Sequence, residues 1–108
     1  MATGILGTPA DLTATTNTSL YTVPADTFTI ASVSLCNRSA ASVTVRVALA
    51  TTASPSNAEW IEYGATIPAY SVLERTGLAL DTGKQVVVYA SAGSAVSAMV
   101  YGIETSTS

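Results

Sequence analysis

The sequence predicts an all-β protein: two antiparallel sheets packed face to face as a sandwich, Ig-like or jelly-roll-like, with seven or eight strands. Three observations predict it. Residues 28–49 alternate apolar and polar side chains with a period of two, the signature of strands with one buried face. Turn residues recur roughly every eight to twelve positions along the chain. No segment carries an apolar stripe at helical spacing long enough to bury a helix. The 108 residues make a single domain. A chain of this size buries roughly 65% of its unfolded surface, enough for one core without disulfides or metal.

Residues 1–11 read as an N-terminal arm. Ile5 and Leu6 lie between Gly4 and Gly7, and Pro9 is expected to exclude a strand. Residues 12–104 form the sandwich. Its first strand is threonine-rich and concentrates into Leu20, Tyr21, Thr22 and Val23 before a turn at Pro24-Ala25-Asp26. Residues 28–49 then read as a β-hairpin at the centre of the fold. Val43, Val45, Val47 and Leu49 share the core face, and Thr44, Arg46 and Ala48 the other. In the first half Phe28 and Ile30 are in one phase and Val33 and Leu35 in the other, so a β-bulge is expected at Ala31-Ser32. Asn37 to Ala41 have the length of a hairpin loop.

Residues 51–58 form the longest loop, small and polar around Pro55. Residues 59–63 return to a strand, with Ile61 and Tyr63 on one face and Trp60 and Glu62 on the other, and residues 64–70 read as a turn with Pro68. In the strand at 71–80, Val72, Leu78 and Leu80 are in phase and Leu73 is not, which a bulge near Gly77 would reconcile. Asp81-Thr82-Gly83 reads as a hairpin turn. Residues 84–90 and 96–103 are apolar in both phases, so both faces of each strand are expected to be covered. Residues 105–108 are a polar tail.

Only 10% of the residues are charged, where about 25% is usual. Ser, Thr, Ala and Asn must therefore cover the surface, which suits a protein that packs against copies of itself or partners. The net charge of −3 and four scattered basic residues give no electrostatic footprint for nucleic acid. No run reaches the roughly 18 apolar residues of a membrane span, and the uncharged N-terminus does not read as a signal peptide.

The chain has no histidine, which removes the usual general base, the usual metal ligand and the Ser-His and Cys-His dyads. The single cysteine, Cys36, reads as a small half-buried hydrophobe at a strand end. Glu59, Glu62 and Glu74 are the carboxylates from which a glycosidase pair would have to come, but their spacing carries no such signal and they read as surface charges paired with Arg46 or Arg75. Asp81-Thr82-Gly83 lacks the further acidic ligands of a calcium loop. The expectation is therefore no enzyme, no metal and no cofactor. Trp60, set outward if opposite Ile61, would anchor an interface; if its strand is central, Trp60 belongs to the core. Arg38 at the loop tip, Ile5 and Leu6 complete the interface candidates.

One ordered set of short motifs adds a resemblance. Leu20-Tyr21-Thr22-Val23-Pro24-Ala25, Leu35-Cys36-Asn37-Arg38, Val45-Arg46-Val47-Ala48, Ile61-Glu62-Tyr63, Leu73-Glu74-Arg75-Thr76-Gly77 and Val100-Tyr101-Gly102-Ile103-Glu104 follow one another along nearly the whole chain. This order resembles the small virion structural proteins, about 100 residues long, of tailed bacteriophages, notably those infecting cyanobacteria. The resemblance implies a non-enzymatic particle protein made in the host cytoplasm and located on the virion surface. It does not distinguish head from tail; the expected role is a capsid decoration or cement protein, and the alternatives are a tail, baseplate or fibre component, or a carbohydrate-binding adhesion module built on Trp60, Glu62 and Asn57. The expected partners are other copies of the chain, as a homo-oligomer and by family analogy a trimer, and other virion proteins such as the major capsid protein or tail proteins. Nucleic acid and membrane are not expected, and a surface glycan ranks last.

Overall fold

The computed structural model describes residues 3–107. Met1 and Ala2 of the expected arm and Ser108 of the expected tail lie outside the described residues. The strands in chain order are β1 (Thr3–Asp11), β2 (Thr18–Thr22), β3 (Thr27–Asn37), β4 (Val43–Ala50), β5 (Trp60–Ile67), β6 (Val72–Leu80), β7 (Gln85–Ala90) and β8 (Val96–Ser106). They form two four-stranded sheets, β1-β8-β3-β6 (sheet A) and β2-β7-β4-β5 (sheet B), and the paired strands are antiparallel. Among consecutive strands only β4 and β5 are neighbours in one sheet; the other connections cross between sheets. This is the connectivity of an eight-stranded jelly roll rather than of an immunoglobulin domain.

The central hairpin is thereby corrected. β3 lies in sheet A and β4 in sheet B, so residues 28–49 arch over the core instead of folding back within one sheet. Two alternating strands present the same pattern in both arrangements, because in each the apolar faces meet one core. The arch is held by Asn37, which is fully buried. Its Nδ2 donates to the carbonyls of Ala41 at 2.8 Å, Ile67 at 3.1 Å and Pro68 at 3.1 Å. Its Oδ1 accepts from the Ser39 N–H at 2.9 Å and hydroxyl at 2.7 Å. A buried amide satisfied on both ends fixes the crossing. The Asp81-Thr82-Gly83 turn is also a crossing and not a hairpin, since β6 and β7 belong to different sheets. Thr82 Oγ1 clips it to β3, donating to the Thr27 carbonyl at 2.7 Å and accepting from the Thr27 N–H at 3.2 Å.

β3 keeps one phase throughout. Thr27, Thr29, Ala31, Val33, Leu35 and Asn37 are buried, while Phe28 and Ile30 face outward. The extra residue sits opposite, in β6: Ala31 pairs with Leu78 but Val33 pairs with Arg75. The bulge falls at Gly77, whose φ of +69° is a left-handed conformation that glycine adopts without strain. It switches the phase of β6, so that Leu73, Leu78 and Leu80 face the core and Val72, placed with them by the alternation, is exposed.

The described part of the expected arm, residues 3–11, is an edge strand paired with β8 from Thr3↔Ile103 to Asp11↔Ser97. Pro9 does not end it. The register from Leu6↔Val100 to Ala10↔Ala98 leaves extra residues on β1, and an edge bulge is where a proline is tolerated. Gly7 allows the bulge to press on β2, where an added Cβ would meet the Leu20 carbonyl oxygen at 2.1 Å. β5 runs beyond its expected end through Gly64 to Ile67, with register shifts against β4 that allow the chain to continue where a turn was expected. The loop before it closes in a 3₁₀ turn at Asn57–Glu59.

Val33, Leu35, Val45, Val47, Val86, Val88, Val96 and Val100 fill the space between the sheets, together with Leu6, Leu12 and Ile67. Val43, Val45 and Val47 are buried as expected, and Leu49 packs at the margin of the core.

Candidate functional site

The outer face of sheet B is built from two cross-strand rows. In the first, Arg46 on β4 stands between Tyr63 on β5 and Tyr89 on β7. Its guanidinium carbon lies 4.2 Å from the centroid of the Tyr63 ring and 4.3 Å from that of Tyr89, a double cation–π stack. In the second, Trp60 lies across Ala48 and next to Val87 and Ala50, which are fully buried beneath it. The small side chains of β4 leave room for the indole to lie over the sheet. Trp60 and Tyr63 meet edge to face, with centroids 5.6 Å apart and planes at 72°, an orientation that aromatic pairs favour. With Asn57 they line an open cleft of about 360 Å³.

The shared orientation of Trp60 and Tyr63 corrects the expected phase of this strand. Val47 pairs with Glu62 but Ala48 pairs with Trp60, so the bulge at Ile61 brings both aromatics to the outer face. Ile61 packs against the core. Glu62 turns to the open side of the sandwich, where Oε2 accepts from Arg75 Nη1 on β6 at 2.7 Å and joins the edge strands of the two sheets.

The outer face of sheet A has no such cover. Ile30 pairs directly with Ile103, Ile103 with Thr3, and Ile30 with Ala79. Ile103 is 55% exposed and Ile30 48%. Phe28, Ile5 and Val72 are also exposed on this side. Tyr101 stands beside Ile5 and hydrogen-bonds the Glu74 carboxylate. That bond pushes the Tyr101 phenol up from its ordinary pKa, with burial adding to it. The expectation that both faces of 96–103 are covered is therefore corrected: one face of β8 enters the core and the other ends in exposed Ile103.

Of the interface candidates, Trp60 is on an outer face as one reading required, though half-buried over its own sheet. Ile5 is exposed on sheet A. Leu6 is only 2% exposed and belongs to the core, because alternation along β1 sends it inward as Ile5 goes out. Arg38 forms an ion pair with Asp11 at the end of β1, and its N–H donates to the Ala95 carbonyl at 2.7 Å. It closes its own domain. Sequence reasoning missed Arg46, Tyr63 and Tyr89 as a stack and Ile30, Ile103 and Phe28 as a patch. The outward phase of Arg46 was visible, but the strand order that flanks it with tyrosines was not.

The three carboxylates do not form a pair. Glu62 is bound to Arg75 and Glu74 to Tyr101. Glu59 closes the 3₁₀ turn by accepting from the N–H groups of Ser56 at 2.8 Å and Thr51 at 3.2 Å; the Ser56 bond does most to lower its pKa. Tyr21 reaches from β2 across to sheet A, where its hydroxyl meets Thr29 Oγ1 at 2.9 Å and donates to Glu104. Burial, reinforced by the Glu104 bond, pushes the Tyr21 phenol up to about 12. Cys36 is half-buried between Ser97 and Val72.

Among the described residues, no group of three or more His, Cys, Asp or Glu side chains is placed to hold a metal ion. No described helix is long and apolar enough to cross a membrane. Compared with protein-family models, curated proteins and solved structures, the chain finds no match in any of the three.

Proposed function

We propose that this chain is a non-enzymatic structural protein of a tailed-phage virion, a decoration protein that docks on the capsid surface through the outer face of sheet A. The observation that carries the reading is the uncovered apolar row Ile30–Ile103 with Phe28 and Ile5 around it. Contiguous exposed apolar surface on a small domain marks an interaction site. The low charge content supports the same reading, since a 10% charged chain has few residues to keep that surface apart from a partner. The ordered motifs resemble phage virion proteins. The jelly roll is compatible with it as an architecture of capsid and lectin domains, which is an argument by analogy.

The work such a protein does is thermodynamic. Burying the sheet A face at roughly 25 cal/mol per Å² favours docking once the interface exceeds about 1,000 Å². A protein that binds the assembled shell and not its free subunits stabilises the shell by mass action. The trimer expected by family analogy would set three sheet A faces on the shell. Mass spectrometry and gel densitometry of purified particles test the proposal. Recovery at hundreds of copies per particle is the expected result. Few copies would place the protein in the tail or a fibre, and absence from particles would overturn the reading.

A further inference from the structure

We infer that the outer face of sheet B carries a binding site for an acidic saccharide, formed by Trp60, Tyr63, Arg46 and Asn57. The inference does not depend on the virion reading, because it concerns the opposite face of the sandwich.

Three features define the ligand. The first is shape and apolarity. Trp60 and Tyr63 meet at 72° and line a cleft of about 360 Å³, within the size range of small-ligand sites. Tyr63 is 64% exposed. One face of a pyranose ring is a sheet of C–H groups, and such a face stacks on an exposed aromatic ring while its hydroxyls stay at the rim. The second is a hydrogen-bonding group. Asn57 lines the cleft, and its amide offers both a donor and an acceptor.

The third feature is charge. The chain has four basic residues. Arg38 pairs with Asp11, Arg75 with Glu62 and Lys84 with Asp81. Arg46 is in no ion pair among the described residues. Its guanidinium carbon lies over the Tyr63 and Tyr89 rings at 4.2 and 4.3 Å, and the centroid of the Trp60 ring lies 6.0 Å away. A cation–π contact engages the charge and consumes none of the guanidinium's N–H donors, so these remain for a carboxylate. The nearby carboxylates do not compete. Glu62 faces inward to Arg75, and Glu59 is bound to the backbone of its own loop. An aromatic corner, an amide and a stacked cation without a counter-ion together fit a hexuronate-type sugar, with its ring on the aromatics and its carboxylate on Arg46.

The test uses methyl glucuronide and methyl glucoside, which differ only in a carboxylate against a hydroxymethyl group. Trp60 is the only tryptophan in the chain, so its fluorescence reports directly on the cleft. The glucuronide should change Trp60 emission with a Kd of about 1 mM, as expected for a monosaccharide with few contacts. The glucoside should bind at least about tenfold more weakly. Arg46→Gln should abolish that preference, and Tyr63→Ala should weaken both sugars, each in protein whose thermal melt shows it folded. Ile103→Ser on the opposite sheet should leave both titrations unchanged. No response to either sugar at about 50 mM, equal binding of the two, or a preference that survives Arg46→Gln would each overturn the inference.

Discussion

The two outer faces of this sandwich hang from the same core and are finished in opposite ways. On sheet B the side chains nearest the backbone are small, Ala48 and Ala50, and long ones from neighbouring strands lie over them. Trp60 roofs one row, and Arg46 binds two tyrosines into another. On sheet A the outward positions of the central strands include Ile30, Phe28 and Ile103, branched or bulky and exposed. Alternation decides that a residue faces outward. Whether it is then covered depends on the size of its neighbours on the adjacent strands. Sheet B thus resembles a finished protein surface with a cleft in it, and sheet A resembles half of an interface.

The largest effect should come from the core that both faces share. Val45 is fully buried between the sheets, and Val45→Asp would place a carboxylate there without a partner. A loss of more than about 4 kcal/mol is expected, read as an unfolded chain by circular dichroism. Next is Trp60→Ala. If the indole roofs Ala48, Ala50 and Val87, its removal should cost about 2–3 kcal/mol in urea unfolding, at the low end for aromatic truncations because Trp60 is only half-buried. A cost under about 0.5 kcal/mol would mean that sheet B is as bare as sheet A and would end the contrast.

How much of this was legible follows from the same contrast. The β-sandwich, the buried face of Val43, Val45 and Val47 and the bulge near Gly77 could be read because each rests on near neighbours in sequence. The sheet to which each strand belongs could not. The Phe28 and Val43 segments look alike whether they pair or arch, and the feature that decides is one buried amide, Asn37, in what reads as an ordinary loop. The candidate site failed for a related reason. Trp60 was readable either as an outward aromatic or as core, and the Tyr63–Arg46–Tyr89 row joins three strands in an order, β5-β4-β7, that no local pattern encodes. Leu6 was misplaced because its strand was expected to be an arm, and Val72 by one phase at a bulge whose position was known only roughly.

Tyr21 probes the seam between the two sheets. Its phenol is held neutral, with a folded pKa of about 12 against about 10 in an unfolded chain. A raised folded pKa contributes stability that is present in full below pH 10 and is lost as the pH climbs from 10 to 12. Alkaline urea titrations should therefore show stability falling across that interval. Tyr21→Phe should lower stability by about 1–2 kcal/mol at pH 7, because the Thr29 hydroxyl loses its partner, and should flatten the alkaline fall. An unchanged slope between pH 10 and 12 would show that Tyr21 is not the group responsible.

The smallest effect on stability should accompany the largest effect on association. Ile103 and Ile30 face each other across β8 and β3 on the open side of sheet A. Each already contacts water over about half of its surface, so little hydrophobic stabilisation depends on either within the monomer. Ile103→Ser with Ile30→Ser should cost under about 1 kcal/mol, chiefly the lost cross-strand contact. If sheet A is a docking face, the same pair of changes removes apolar area from its centre, where truncations weaken binding most. Recovery of the chain on purified particles should then fall, while sedimentation of the isolated chain stays unchanged. Trp60→Ala should show the reverse pattern, with stability lowered and association retained. If the double serine variant associates as well as the wild type, the exposed row on sheet A is not the contact surface, and the division of labour between the two faces fails.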